Sequence, residues 1–445
     1  MKATRCVSVF GLALSVLALR GLTAEDTKDW ALQLRSRSAQ GKGSPRYHTQ
    51  ARSESWSPKK TAVIVCDMWD LHHCLNATRR GAEMTPRMNK VLLHARSQGA
   101  TIIHAPSSCT NTYKDHPARK NAQDTPRAAT FPKDISNWSN RIPSEEKGKY
   151  PIDQSDGGED DDPAEHKAWA EELKSKGKNP RAPWTAQAAG LEIHDQDFIS
   201  DNGQEVWSIL EHKGLDNVIL LGVHTNMCVL GRPFGLRQMA RAGKNVVLMR
   251  DMTDTMYNPA RWPYVSHFTG TDLIVEHIEK FVCPTITSDQ LIGGETFRFK
   301  KDKRPHVVIV MAEREYKTEE TLPEFAATQL GKKFRVSTVH ANAKERNDLP
   351  GIEVIRDADV VLLSVRRRVL APEKMKMIRD YVVSGKPLIG IRTASHAFHV
   401  RGKKAKKGFA DWPEFDRDVI GGSYSGHHGN GPKVALQSVG KHEIL

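Results

Sequence analysis

The residue best placed for covalent chemistry is Cys228, within Gly222-Val223-His224-Thr225-Asn226-Met227-Cys228-Val229-Leu230-Gly231. The apolar run Val218-Ile219-Leu220-Leu221 precedes it, and the helix-like Gly235-Leu236-Arg237-Gln238-Met239-Ala240-Arg241 follows. Cys228 therefore falls where a buried strand ends and a helix begins. The first turn of a helix has unpaired N–H groups and the positive end of the macrodipole, and both favour a thiolate. Backbone amides at such a turn can also hold the oxyanion formed when a thiolate attacks a carbonyl. A second candidate, Asp67, ends the apolar run Thr61-Ala62-Val63-Ile64-Val65-Cys66. Ligands of open α/β sheets bind outside the carboxyl ends of the strands, so Asp67 and Cys228 can face one crevice despite their separation in sequence.

These stretches, with Asp251-Met252-Thr253-Asp254 after Asn245-Val246-Val247-Leu248-Met249, resemble the isochorismatase-like cysteine hydrolases, a superfamily that includes nicotinamidases and N-carbamoyl amide hydrolases. The resemblance covers residues 59–290. It implies Cys228 as nucleophile, Asp67 as general base and an oxyanion hole formed by the amides of Met227 and Cys228. It also implies a non-proline cis peptide around Val223-His224 and assembly as a homo-oligomer. Trp69, Thr225, Asn226 and Tyr257 are candidate substrate-binding residues, although Thr225 and Asn226 read first as residues that shape the loop. Arg232 and Asn258 are further candidates to line the pocket.

The superfamily's triad adds a lysine before the helix that leads into the cysteine strand. That region reads Leu191-Glu192-Ile193-His194-Asp195-Gln196-Asp197-Phe198-Ile199-Ser200 and holds no lysine. His194 lies nearest, and as an imidazolium it could take part of the cation's role. The Asp-x-His motif that binds metal in some members is also absent. His72, His73 and His104 could reach a divalent ion, but ordinary polar roles are the commoner reading, so no metal is assigned and no cofactor is required. Arg79 and Arg80 could meet a substrate carboxylate, against a commoner structural or solvated role.

The elements that must position these residues follow a βα rhythm. Strands are expected at Thr61–Cys66, Thr101–Ala105, Asn217–Val223 and Asn245–Met249, with helices at Pro86–Gln98, Gln204–Lys213, after Cys228, and at Thr271–Phe281. Such alternation implies a parallel sheet covered by helices on both faces. Residues 25–58 are polar and read as an extended arm. Residues 110–189 interrupt the rhythm and are too long for a structureless loop in a compact domain. They read as an insertion over the crevice, with Trp138, Trp169 and Trp184 as anchors. Its acidic run, Asp156-Gly157-Gly158-Glu159-Asp160-Asp161-Asp162, lacks the spacing of a Ca²⁺ loop and reads as solvated acid.

After a linker at 291–304, a second α/β pattern occupies 305–445, with strands at His306–Met311, Asp359–Ser364 and Pro387–Ile391 and helices at Leu322–Leu330 and Pro372–Ser384. Glu313-Arg314-Glu315-Tyr316, Gly390-Ile391-Arg392-Thr393-Ala394-Ser395-His396-Ala397-Phe398, Trp412-Pro413-Glu414-Phe415 and His427-His428-Gly429 resemble the trehalose-utilisation family, whose fold is like that of class I glutamine amidotransferases. That resemblance implies further elements beyond the end of this chain. The amidotransferase cysteine is replaced by Arg392-Thr393-Ala394, which argues against glutaminase chemistry. Glu313, His396, His427 and His428 are candidates for a sugar or metal site. The fold class expected is thus α/β, two doubly wound parallel-sheet domains in series.

The chain has 445 residues and a formal charge of +13, with both signs interspersed. Arg366-Arg367-Arg368 and Lys403-Lys404-Ala405-Lys406-Lys407 are the only basic clusters and read as solvated faces, so no nucleic-acid partner is expected. Lys2 and Arg5, the apolar Val7–Leu19 and Leu22-Thr23-Ala24 read as a secretory leader over 1–24, too short to span a bilayer. Export follows, periplasmic or secreted. Cys66, Cys74, Cys109, Cys228 and Cys283 then remain, an odd number that leaves at least one thiol free. Cys66 reads as inert core, and the spacing of Cys74 and Cys109 leaves a disulfide undecided. The expected activity is cysteine-dependent hydrolysis of a small amide-like or vinyl-ether substrate, with a carbohydrate-related second domain. The alternatives are a carbohydrate-binding or interaction protein built from two degenerate enzyme folds, and a sugar-processing enzyme with its site in the second domain.

Overall fold

The structure is a computed structural model that describes residues 28–402, 404–426 and 435. The leader expected at 1–24 and the His427-His428 pair lie outside the described residues. Strand β1 (Trp30–Ala39) and β2 (Tyr47–Trp56) form an antiparallel hairpin. The alternating unit then runs β3 (Thr61–Cys66), α1 (Leu75–Ser97) and β4 (Thr101–Ala105). Helices α2 (Pro117–Asp124) and α3 (Pro163–Ser175) lie within the 110–189 insertion. The unit closes with β5 (Phe198–Ile199), α4 (Gly203–His212), β6 (Asn217–Val223), α5 (Leu236–Arg241), β7 (Asn245–Asp254), α6 (His267–Phe281), β8 (Thr285–Ile286) and α7 (Asp289–Ile292).

These strands make one eight-stranded sheet in the order β2-β1-β8-β7-β6-β3-β4-β5. The six strands β3 to β8 are parallel, and the hairpin joins them antiparallel through Arg35 opposite Thr285. The expected arm is therefore part of the sheet, and the sheet is mixed. Side chains alternate along each strand. Ala62, Ile64, Val218 and Leu220 enter the core on one face, while Val63, Val65, Ile219 and Leu221 enter the core on the other. The chain leaves β3 for α1 and β4 on one side and returns to β6 on the other, so β3 and β6 flank the topological switch point.

Helix α1 begins eleven residues before the expected start and runs through Pro86. Proline removes one helical hydrogen bond, so a start at Pro86 was the local expectation. The extra turns are secured from outside the helix: Asp161 accepts from the N–H groups of Leu75 and Asn76 at 2.8 and 2.7 Å.

The second unit holds β9 (His306–Ala312), α8 (Thr318–Thr328), β10 (Arg335–His340), β11 (Val360–Val365), α9 (Pro372–Val383) and β12 (Leu388–Gly390). Its separate sheet is all parallel, in the order β10-β9-β11-β12. The chain is thus α/β in two consecutive sheets. The hairpin reaches the second unit, where Gln40 donates to the Ala341 carbonyl at 2.6 Å and Arg46 pairs with Glu319 at 2.9 Å. No helix among the described residues is long and apolar enough to cross a membrane.

Candidate active site

Asp67 and Cys228 leave the carboxyl ends of neighbouring strands, β3 and β6, whose last paired residues are Cys66 and Gly222. Gly222 has φ +111°, and a Cβ there would lie 2.0 Å from the Cys66 carbonyl, so the two backbones pass too closely for any side chain. The Val223–His224 peptide is cis. A single π-helical turn, Thr225–Val229, carries the cysteine. Asp67 itself adopts a left-handed conformation, φ +46°, one that aspartate tolerates better than most residues, and turns the chain off the strand.

The Asp67 carboxylate is fully buried and held on three sides. Oδ1 accepts from the Ser107 N–H at 2.8 Å, and Oδ2 accepts from Arg232 Nε at 3.0 Å and lies 2.9 Å from Nη2. The Cys228 thiol lies against the same carboxylate, within hydrogen-bonding reach. Burial pushes the Asp67 carboxyl above the usual range, although Arg232 and these hydrogen bonds oppose the shift. Burial and the negative charge of Asp67 push the Cys228 thiol up, with Arg232 opposing. The carboxylate of Asp67 in turn holds the Arg232 guanidinium above its ordinary value against the effect of burial. The Cys228 thiol therefore rests neutral. The helix N-terminus does not by itself maintain a thiolate.

Arg232 is the cation beside the Asp67–Cys228 pair. It follows Cys228 by four residues, and its N–H donates to the Cys228 carbonyl at 3.0 Å, so both side chains emerge on one helical face. That spacing was visible in the sequence, where Arg232 was only one of several candidates to line the pocket. His194 is not brought to this pair. Its ring pairs with Glu192 at 3.4 Å and its backbone N–H donates to Asp197 at 2.8 Å. The local reason is the cap that Asp197 provides for this turn, which leaves the imidazole at the surface.

The other candidates divide by what they touch. Trp69 donates from its indole to the Ser107 carbonyl at 3.0 Å, which ties it to the residue that orients Asp67. Trp184 stacks on Trp69 at 4.5 Å, and His72 and His224 extend this aromatic wall with ring centroids 4.8 Å apart. Burial drives the His224 imidazole down to about 4 and that of His72 well below its ordinary value, so both are neutral at physiological pH. Thr225 bonds to Thr253 and to the Asp254 carbonyl, and Asn226 bonds to both the N–H and the carbonyl of Met256. Both shape the loop. Tyr257 is fully buried with its hydroxyl on the Arg261 carbonyl, and Asn258 holds Asp156, so neither faces the crevice. The Met227 N–H already donates to the His224 carbonyl at 3.0 Å, which leaves the expected oxyanion donor engaged in the turn.

The insertion is anchored at the tryptophans. Trp169 donates to the His72 carbonyl, Trp184 joins the Trp69 stack, and Trp138 lies on Gly231 with Arg232 5.4 Å from its ring centre. Its acidic run is solvated only in part: Asp162 is exposed, whereas Asp160 and Asp161 turn inward. Asp161 caps α1, while Asp160 forms a bidentate pair with Arg80, which also reaches Asp254 at 2.6 Å. His267 joins the same network at Asp254 and Asp160. Arg80 is thus structural, and Arg79 pairs with Glu165 at the surface. The cation of Arg80 holds Asp254 well below the usual carboxylate range despite burial.

Cys74, Asp160 and Asp161 have donor atoms close enough to share an ion, but those atoms already serve α1 and Arg80. Of the three candidate histidines, His72 and His73 lie together with ring centroids 4.0 Å apart, His73 pairing with Glu159, but His104 is buried elsewhere between Gln187 and Asp197. All five described cysteines are free thiols, so Cys74 and Cys109 are unpaired. In the second unit, Glu313 accepts from Thr318 and from the N–H of Tyr316, a capping role at the start of α8, and His396 lies beside Ser395 and the Tyr424 ring.

No family model and no curated protein matches this chain. Similar solved structures include a cysteine hydrolase from Pseudomonas syringae pv. phaseolicola 1448A, at 17% identity over 53% of this chain and 93% of that one, TM-score 0.32. An isochorismatase family protein from Burkholderia thailandensis is similar at 12% identity over 52% of this chain and 94% of that one, TM-score 0.30. A pyrazinamidase of Pyrococcus horikoshii in complex with zinc is similar at 14% identity over 51% and 99%, TM-score 0.28.

Proposed function

We propose that the first unit is a hydrolase of the isochorismatase-like type, with Cys228 as nucleophile, Asp67 as proton acceptor and Arg232 in the cationic role of the missing lysine. The observation that carries this reading is the buried cluster of Asp67, Cys228 and Arg232 at the switch point of the sheet. As substrate enters, Asp67 takes the thiol proton and sulfur bonds to the carbonyl carbon. Asp67 then returns the proton to the leaving nitrogen as the C–N bond breaks, and water resolves the thioester. Arg232 balances the negative charge as it passes between carboxylate and sulfur. The wall of Trp69, Trp184 and neutral His72 suits a small planar amide.

Export remains a proposal from the sequence of residues 1–24, and a carbohydrate-related role for the second unit rests on its sequence motifs. The test is a panel of small planar amides, including nicotinamide, with mass spectrometry of quenched reactions. Turnover with an acyl adduct on Cys228, both lost in Cys228→Ala, supports the hydrolase. Saturable binding with neither turnover nor adduct would favour the binding-protein alternative, in which the engaged Met227 amide marks a dormant site.

A further inference from the structure

The triple arginine Arg366-Arg367-Arg368 is not a solvated face. It follows β11 directly, and Arg368 is buried at 4% exposure. A cavity of about 200 Å³ opens at the carboxyl ends of the parallel strands of the second sheet. Arg314 after β9, Asn342 after β10 and Arg368 after β11 line it, and Gln40 and Arg46 of the β1–β2 turn close one side. This is the end of an open α/β sheet where ligands bind. The volume falls below that of drug-sized ligand pockets, which suits a compact group.

The charges around the cavity do not cancel. Glu313 and Glu319 also line the cavity. Glu313 keeps its negative charge and acts on Arg368, with its oxygens bonded to Thr318 and neighbouring N–H groups, while Glu319 pairs with Arg46. Arg314, Arg346 and Arg368 thus still outnumber the one carboxylate left to them. Arg366 pairs with Glu315. By contrast, Arg314 and Arg346 donate only to carbonyl oxygens, of Ala343 and Arg367, at 3.4 Å each. Arg368 donates from Nη1 to the Arg366 carbonyl, while its buried Nε has no partner. Among the described residues none of these three guanidinium groups meets a carboxylate. Burial, with Arg346, Arg314 and Arg366 nearby, pushes the Arg368 guanidinium down to about 10. A buried donor and several like charges around one cavity are costly without an anion.

We propose that this cavity is an anion site that takes a tetrahedral oxyanion, as free phosphate or as the phosphate of a small monoester, held by Arg368 and Arg314 with Arg346 contributing to the field. The planar fork of arginine matches such oxygens in a bidentate fashion. The site is separate from the Asp67–Cys228 pair, so it stands or falls independently of the hydrolase reading.

The test is titration calorimetry of the full chain with inorganic phosphate, glycerol phosphate and chloride at matched ionic strength. Saturable binding of phosphate or glycerol phosphate, unchanged in Cys228→Ala, is expected, and the tighter of the two identifies free anion or monoester. The double variant Arg314→Gln/Arg346→Gln changes only exposed side chains and should weaken binding by about tenfold or more. Arg368→Lys, which keeps the charge and loses the fork, should weaken it independently. Lys376→Gln, an exposed charge on α9, should leave it unchanged. Phosphate heats no different from chloride, or equal binding by the parent and both arginine variants, would overturn the proposal.

Discussion

Arg232 places Nε and Nη2 at 3.0 and 2.9 Å from a single oxygen of Asp67, Oδ2, while the other oxygen is occupied by the Ser107 amide. The guanidinium therefore controls the charge of the carboxylate that faces Cys228. Arg232→Met removes the main influence that holds the Asp67 carboxyl down against burial. The Asp67 pKa should rise, so the acid limb of the pH–rate profile moves to higher pH and kcat/KM at neutral pH falls by about 100-fold. Arg232→Lys should recover part of the rate. A profile whose acid limb does not move would mean that Arg232 only packs.

Asp67→Asn should change thiol reactivity and turnover in opposite directions. The Asp67 charge raises the Cys228 thiol, so its removal lowers that pKa and increases the thiolate fraction. Alkylation of Cys228 by iodoacetamide at pH 8 should accelerate, while amide turnover falls by about 10²–10⁴-fold for want of a base. Slower alkylation in the variant would contradict this account.

The insertion should stabilise the first unit through the N-terminus of α1. Asp161→Ala removes acceptors for two N–H groups and should cost about 1 kcal/mol in urea unfolding. Arg80→Met leaves Asp160 and Asp254 buried without their cation and should cost about 3–5 kcal/mol. Equal, small effects would mean that the acidic run is peripheral.

Acid should destabilise the protein through Glu145. Burial would raise this carboxyl, but His277 and the bidentate Arg237 outweigh it and hold it down to about 2, against an ordinary value of 4.5. A carboxyl depressed on folding contributes stability above its unfolded pKa and loses it as pH falls through the folded value. The urea midpoint should therefore drop between pH 4.5 and 2, and Glu145→Gln should flatten that part of the curve. An unchanged slope in the variant would assign the loss to other carboxylates.

What could be read from the sequence was local. The apolar runs of β3, β4 and β6 fix their own strands because a short continuous apolar run buried on both faces needs only the run itself. Asp67 and Cys228 are legible because one directly follows such a run and the other lies in the turn that leaves one. Arg232 was within reach of the same reasoning through its four-residue spacing from Cys228, but nothing local shows that it turns inward. That is decided by a buried carboxylate from another strand, which His194, held at the surface by the Asp197 cap, never meets. The same holds for charge. The acidic run and the triple arginine look solvated as sequence because neighbours along the chain do not reveal burial. Only the packing of distant segments sends Asp161 to the start of α1, Asp160 to Arg80 and Arg368 to the cavity behind β11, since a buried charge is settled by partners that the fold brings from elsewhere.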